Sequence, residues 1–232
     1  MMPDDKRVDA NADLKMDFER AGRLGFPEII YGESKSADQL LRLVTQCQDR
    51  QHPVLISRCA PEKATPLPDA GTYDPVARTW VWLPHPPTPI PGNVGVVSAG
   101  TSDAPVVLET LNTLHFLGIQ AFGIQDVGVA AIHRLLDRLE DLAHCDVLIC
   151  VAGFEGALAS VLAGQCPQPV IGVPTSVGYG VAHQGVAALH AMLASCANGL
   201  MVMNIDNGVG AALAARRMLT LLPSPTPKIT HP

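Results

Sequence analysis

Clustered basic residues, paired cysteines and long apolar runs are all missing from this 232-residue chain, and each absence removes a class of function. Lysine and arginine together number 16 against 22 aspartates and glutamates, a net charge of −6. Binding along a nucleic-acid backbone needs a basic face to displace counterions, so nucleic acid is not an expected partner. The six cysteines, Cys47, Cys59, Cys145, Cys150, Cys166 and Cys196, show no CxxC spacing and no Cys/His ligand pattern. Neither a zinc site nor a disulfide framework is signalled, and reduced thiols are expected. No segment approaches the roughly 18 to 20 apolar residues of a membrane span. The first residues, MMPDDKRVD, are polar and carry no secretory signal. The expectation is a cytoplasmic protein with no membrane partner.

What is present is a large apolar content: 47% hydrophobic residues against 16% charged, enough for a sizeable core and too much for disorder. The organising stretch is 146–196, DVLICVAGFEGALASVLAGQCPQPVIGVPTSVGYGVAHQGVAALHAMLASC. An apolar run at 147–151 breaks at Gly153-Phe154-Glu155-Gly156, resumes at helical spacing, and gives way to a second apolar run at 170–173. This is a strand, loop, helix, strand unit, which packs right-handed in a parallel sheet with ligand sites beyond the strand carboxyl ends. The loops 153–156 and 175–180 are therefore expected to face one crevice.

The rest of the chain follows the same rhythm. Residues 1–83 form a small α/β amino-terminal domain: loose first residues, a short helix within 14–24, strands near 26–32, 53–57 and 77–83, and a helix opened by Ser36. A proline-rich piece between the last two strands defies assignment. PHPPTPIP places five prolines in eight positions, which fixes an extended linker over 84–92. From 93 to 222 strands at 93–97, 119–124, 147–151, 169–173 and 200–204 alternate with helices at 104–117, 129–143, 155–164, 183–195 and 207–221. In the helix at 129–143, Ile132, Leu135, Leu136, Leu139 and Leu142 form one apolar stripe. The fold class is α/β, a doubly wound parallel sheet. The proline-rich tail, 223–232, is expected to be mobile.

Several loops carry chemistry-bearing groups. Ser98-Ala99-Gly100-Thr101-Ser102-Asp103 precedes a helix, so its amides can hold a phosphate with Ser102 and Asp103; equally, either residue can simply cap the helix. It is neither a Walker loop nor a GxGxxG turn. Asp126, His133 and Arg134 open the next helix, where the planar fork of Arg134 suits a phosphate or carboxylate, or the whole start is solvated. Glu155, set among apolar neighbours, has the partial desolvation that would fit it to move protons, or it complements a helix dipole. Ser176 and Tyr179 lie in the second crevice loop. Cys196 ends a helix, where a free cysteine is most often a small buried hydrophobe. Asp206 or Asn207 is read as the cap of the final helix.

Taken together, DFERAGRLGFPEIIYGESKS, VVSAGTSD, DVGVAAIHRLL, VAGFEGAL, PVIGVPTSVGYG, MLASC and MNIDNG resemble the pyridinium-3,5-biscarboxylic acid mononucleotide synthase (LarB) family of nickel-pincer cofactor biosynthesis, over residues 17–210. The carboxyl-terminal part is similar in fold to N5-carboxyaminoimidazole ribonucleotide mutase, so a mutase-like three-layer sandwich is implied. Ser34 stands where the family has glycine, Phe154 where it has methionine, and His183-Gln184 also departs from its pattern.

The resemblance implies an enzyme, a carboxylase and phosphoanhydride hydrolase that adds CO2 to nicotinic acid adenine dinucleotide at ring carbon 5 and releases AMP. It assigns Cys196 as the nucleophile that adds to carbon 4 and suggests Glu155 as the base. Ser102, Asp103, Asp126, His133, Arg134, Ser176 and Tyr179 become substrate-binding candidates. No cofactor is firmly implied, although Mg2+ can assist the phosphoanhydride step, and no ligand cluster marks a metal site. Beyond the small-molecule dinucleotide, the expected partner is a second copy, in a symmetric homo-oligomer. Two alternatives stand beside this reading. One is the mutase, although Ala157 occupies the position of that enzyme's proton-shuttling histidine. The other is a nucleotide-binding protein without catalysis.

Overall fold

A computed structural model describes residues 14–221; the first residues expected to be loose and the whole tail expected to be mobile lie outside them. Two units emerge, residues 1–75 with 79–85, and residues 76–78 with 86–232.

In the first unit, strands β1 (Ile29–Tyr31), β2 (Val54–Ser57), β3 (Thr72–Asp74) and β4 (Thr79–Trp82) form a sheet in the order β1-β2-β4-β3, with β1 and β2 parallel and the other pairs antiparallel. Helix α1 (Arg20–Leu24) falls within the span expected of a short helix, and Asp17 just before it binds Arg20 and Arg23 with its carboxylate and Glu28 with its amide. Helix α2 (Ala37–Asp49) starts at Ser36, whose hydroxyl accepts from the Gln39 amide while the Gln39 side chain returns the bond, a capping box. It buries Leu40, Leu43, Val44 and Cys47. The unassigned proline-rich piece holds α3 (Pro61–Ala64), with proline at its first position, and the edge strand β3. Both are too short for hydrophobic periodicity to register.

The second unit is a five-stranded parallel sheet in the order β6-β5-β7-β8-β9. Its strands are β5 (Ile90–Ser98), β6 (Ile119–Ile124), β7 (Val147–Ala152), β8 (Val170–Pro174) and β9 (Met201–Val202). Every residue of β7 and β8 is buried, as expected of a parallel sheet covered on both faces. Helices α4 (Ala104–Phe116) and α9 (Gly208–Leu219) pack on each other and on β5, and α7 (Ala157–Gln165) and α8 (Val186–Leu193) pack on each other and on β8. The result is a three-layer α/β sandwich. Full burial of side chains such as Leu148, Ile149 and Leu162 contributes roughly 1.5–3 kcal/mol each.

Three expectations need correction. The linker expected over 84–92 ends sooner, because β5 begins at Ile90 and pairs with Ile119 before a register shift ahead of Asn93. The helix expected over 129–143 is broken into a 3-10 turn at Val129–Ala131 and two short helices, α5 (His133–Leu136) and α6 (Leu139–Leu142). Leu135, Leu139 and Leu142 still face the core, while Ile132 and Leu136 are exposed. A spacing of three serves successive tight turns as well as a continuous helix, so the stripe alone could not show the break. The helix expected from 183 begins at Val186, because a 3-10 segment with left-handed Gln184 precedes it.

Candidate active site

From β5 the chain crosses to β6 on one side and then returns to β7, β8 and β9 on the other. Loops diverge at such a reversal and leave a crevice at the carboxyl edge. A cavity of about 250 Å³ lies there, walled by Ser102 and Asp103 after β5, by Phe154 and Glu155 after β7, by Val177 after β8 and by Val129. The loops after β7 and β8 interlock, with the Phe154 amide donating to the Val177 carbonyl at 2.8 Å. A Cβ on Gly153 would sit 2.4 Å from that carbonyl oxygen and 2.7 Å from Thr175 Oγ1, so only glycine allows the approach.

Asp103 forms the floor. It is 3% exposed; its Oδ1 accepts from Thr175 Oγ1 at 2.7 Å and its Oδ2 from the Gly100 amide at 3.1 Å. Burial pushes its carboxyl above the ordinary aspartate range and the nearby Asp206 carboxylate adds to the rise, against the hydrogen bonds from Thr175, Gly100 and Gly153. Ser102 beside it is exposed.

Glu155 lines the cavity but is exposed, so the desolvation expected of it is absent from the single chain. Phe154 beside it adopts φ +52°, and both side chains are exposed. Asp126, also left-handed at φ +59°, accepts from Arg134 Nη1 at 2.7 Å, with each side chain about half exposed. The guanidinium expected to grip a phosphate is thus engaged by its own loop. His133 is exposed nearby in sequence, and none of these three walls the cavity. Ser176 is held by its amide, which donates to Asp206 Oδ1 at 2.8 Å. Tyr179, 77% exposed, packs edge-to-face on Phe154 at 5.4 Å and 88°. Asn207 caps α9 through the Gly210 amide, while Asp206 instead fastens the loop after β8.

Cys196 lies in the loop after α8, outside the cavity wall and exposed. Its neighbour Ser195 shares a 2.7 Å hydroxyl bond with Ser160 of α7 and accepts from the Ala197 amide at 3.1 Å, which pins the backbone on both sides of the thiol. Four of the six cysteines are buried, Cys166 is partly so, and Cys196 alone is exposed. Burial pushes the thiols of Cys47 and Cys145 up to about 11 and raises Cys150 and Cys166 as well. The expectation of a small buried hydrophobe therefore does not describe Cys196.

One chain thus gathers Ser102, Asp103 and Glu155 around a cavity, sets Tyr179 against its wall through Phe154, and leaves Asp126, His133, Arg134, Ser176 and Cys196 outside that wall. Thr175 was not singled out from sequence, and Phe154 only as a departure from the family pattern. Thr175 follows a strand with no signal that it meets a carboxylate 72 positions away, whereas Phe154, an aromatic residue inside a Gly-flanked turn, carried a signal that could have been used. Among the described residues no three His, Cys, Asp or Glu side chains are grouped as a metal site requires. No helix among them is long and apolar enough to cross a membrane.

Comparison with known proteins adds two family matches. Residues 93–226 match AIR carboxylase, and residues 9–83 match the LarB/PurE-like N-terminal domain. An uncharacterised protein of Methanocaldococcus jannaschii is 36% identical over 221 residues, covering 87% of this chain and 82% of that relative. The crystal structure of a PurE2 variant from Treponema denticola is 21% identical, with a TM-score of 0.47 over 56% of this chain and 81% of that one.

Proposed function

The chain belongs to the AIR carboxylase family through residues 93–226, with a LarB/PurE-like N-terminal domain at 9–83, and we propose that it carboxylates nicotinic acid adenine dinucleotide at pyridinium carbon 5 and cleaves its phosphoanhydride. The products are AMP and pyridinium-3,5-biscarboxylic acid mononucleotide. The observation that carries this reading is the conjunction in one chain of these two domains with an exposed, backbone-pinned Cys196.

A pyridinium ring is electron-poor and does not attack CO2. Addition of the Cys196 thiolate at carbon 4 converts it to a dihydropyridine whose enamine carbon 5 is nucleophilic. That carbon bonds to CO2, Glu155 removes its proton, and loss of the thiolate from carbon 4 restores aromaticity; one hard step becomes several easier ones. Ser102 and Asp103 hold ribose or phosphate at the amino end of α4. A cavity of about 250 Å³ is below the roughly 300–1,000 Å³ of most small-molecule sites, which suits one half of a dinucleotide, with the other extending outward past Ser176. Asp126, His133 and Arg134 are candidates to meet that extended half, provided Arg134 exchanges Asp126 for a phosphate. A Mg2+ ion assisting the anhydride step would arrive on the substrate's own phosphates, and no step is assigned to it.

Because Cys196 does not wall the cavity of its own chain, the reading includes a symmetric homo-oligomer in which a neighbour's Cys196 completes each cleft. Support comes from the exposed apolar side chains Val181, Val186 and Leu193 on the segment 180–193 that precedes Cys196, apolar area that association would cover. The mutase reading is favoured by the AIR carboxylase match alone and opposed by Ala157 and by the extra N-terminal domain.

The test is AMP release from the dinucleotide by pure protein supplied with bicarbonate. Tight binding without AMP release would make this a binding protein only, and turnover of carboxyaminoimidazole ribonucleotide would make it the mutase.

A further inference from the structure

Phe154 is costly to the fold in two ways. A bulky residue at φ +52° occupies backbone space that side chains other than Asn, Asp and glycine seldom enter, and its ring is 43% exposed. Of the ten aromatic residues, Tyr31, Phe122, Phe154 and Tyr179 are exposed, Tyr179 most of all at 77%; what sets Phe154 and Tyr179 apart is that Phe154 walls the cavity and Tyr179 packs on it. Strain and exposed apolar surface that coincide at a cleft point to use by a ligand.

The geometry is specific. The two rings stand 5.4 Å apart at 88°, so they form a right-angled corner in which a third ring can lie on the face of one and meet the edge of the other. The Phe154 side of the corner is held in place: its amide is bonded to Val177 and Gly153 admits no Cβ beneath it. Tyr179, between Gly178 and Gly180 at positive φ, sits on a backbone that can adjust to the ring it meets. Phe154 itself walls the cavity beside Glu155. Ring faces are electron-rich and attract a cation within about 6 Å.

We propose that Phe154 and Tyr179 form the subsite that recognises a positively charged heteroaromatic ring, the pyridinium of a ribonucleotide, and hold it within reach of Glu155. This rests on the function proposed above and adds to it the residues that discriminate ring from sugar phosphate.

The experiment measures binding of nicotinic acid mononucleotide and of ribose 5-phosphate by calorimetry to the full chain and to Phe154→Leu, Tyr179→Leu and Tyr179→Phe. The leucines keep apolar bulk and remove the π face. Each leucine variant should bind the mononucleotide roughly 5- to 10-fold more weakly, with ribose 5-phosphate unchanged and Tyr179→Phe close to the parent. Equal loss for both ligands, no loss for either, or no binding of the mononucleotide by the parent overturns the subsite. So does a change in assembly mass by light scattering in the leucine variants, which would make the pair an inter-chain contact. Ring-selective loss in a protein that never releases AMP defeats only the proposed reaction; AMP release with unaltered ring binding in Phe154→Leu defeats only the subsite.

Discussion

Thr175 Oγ1 donates to Asp103 Oδ1 at 2.7 Å between two buried side chains, joining the end of β8 to the turn before α4 across 72 residues of sequence. Burial holds that carboxyl above the ordinary aspartate value of 3.8, so the folded chain binds its proton more tightly than the unfolded one. The stability it contributes is full below 3.8 and is lost as pH rises through the raised folded value. Asp103→Asn should remove this decline, so that the stability difference between parent and variant, from denaturant melts at successive pH values, shifts in the variant's favour as pH rises. Thr175→Val should cost about 1–3 kcal/mol by stranding a buried acceptor, with Thr175→Ser near the parent. A pH-independent difference would contradict the raised value.

Native alkylation should single out one cysteine. Iodoacetamide reacts with thiolates, and the thiols pushed to about 11 by burial, Cys47 and Cys145, remain protonated at neutral pH. Peptide mass spectrometry should find the label on Cys196 first, and on the others only after denaturation. Labelling of Cys150 ahead of Cys196 would be inconsistent with the burial described.

Completion of each cleft by a neighbouring chain can be tested by mixing two inactive variants. Cys196→Ala and Glu155→Gln should each lose carboxylation, the latter with little change in dinucleotide affinity. Co-expressed in equal amounts, they should recover about a quarter of parental turnover, because random assembly joins an intact Cys196 to an intact Glu155 at about one site in four. Absence of any recovery would place both groups in the same chain.

Much of the fold was legible because a buried parallel strand must be apolar throughout. The runs ending at Val97, Val151 and Val173 announced β5, β7 and β8, and Ser36 announced α2 by its side-chain bond to Gln39. The break at Asp137 and Arg138 was not legible, since core contact at every third or fourth residue survives it. Nor could composition reveal that Asp103 is buried, that Asp126 occupies Arg134, or that Glu155 is exposed, because each depends on how loops from distant strands meet. Cys196 stood out only by family resemblance; its exposure and the Ser160–Ser195 bond that braces its loop became apparent in the folded chain.

The most direct measurement follows one carbon atom. Pure protein is incubated with nicotinic acid adenine dinucleotide and 13C-bicarbonate, and the products are analysed by mass spectrometry beside those of Cys196→Ala. The expected result is AMP together with a mononucleotide carrying one labelled carboxyl group from the parent, and neither from the variant, which still binds the dinucleotide. A labelled product formed by Cys196→Ala, or AMP released by the parent with no label in the mononucleotide, would contradict carboxylation through this thiol.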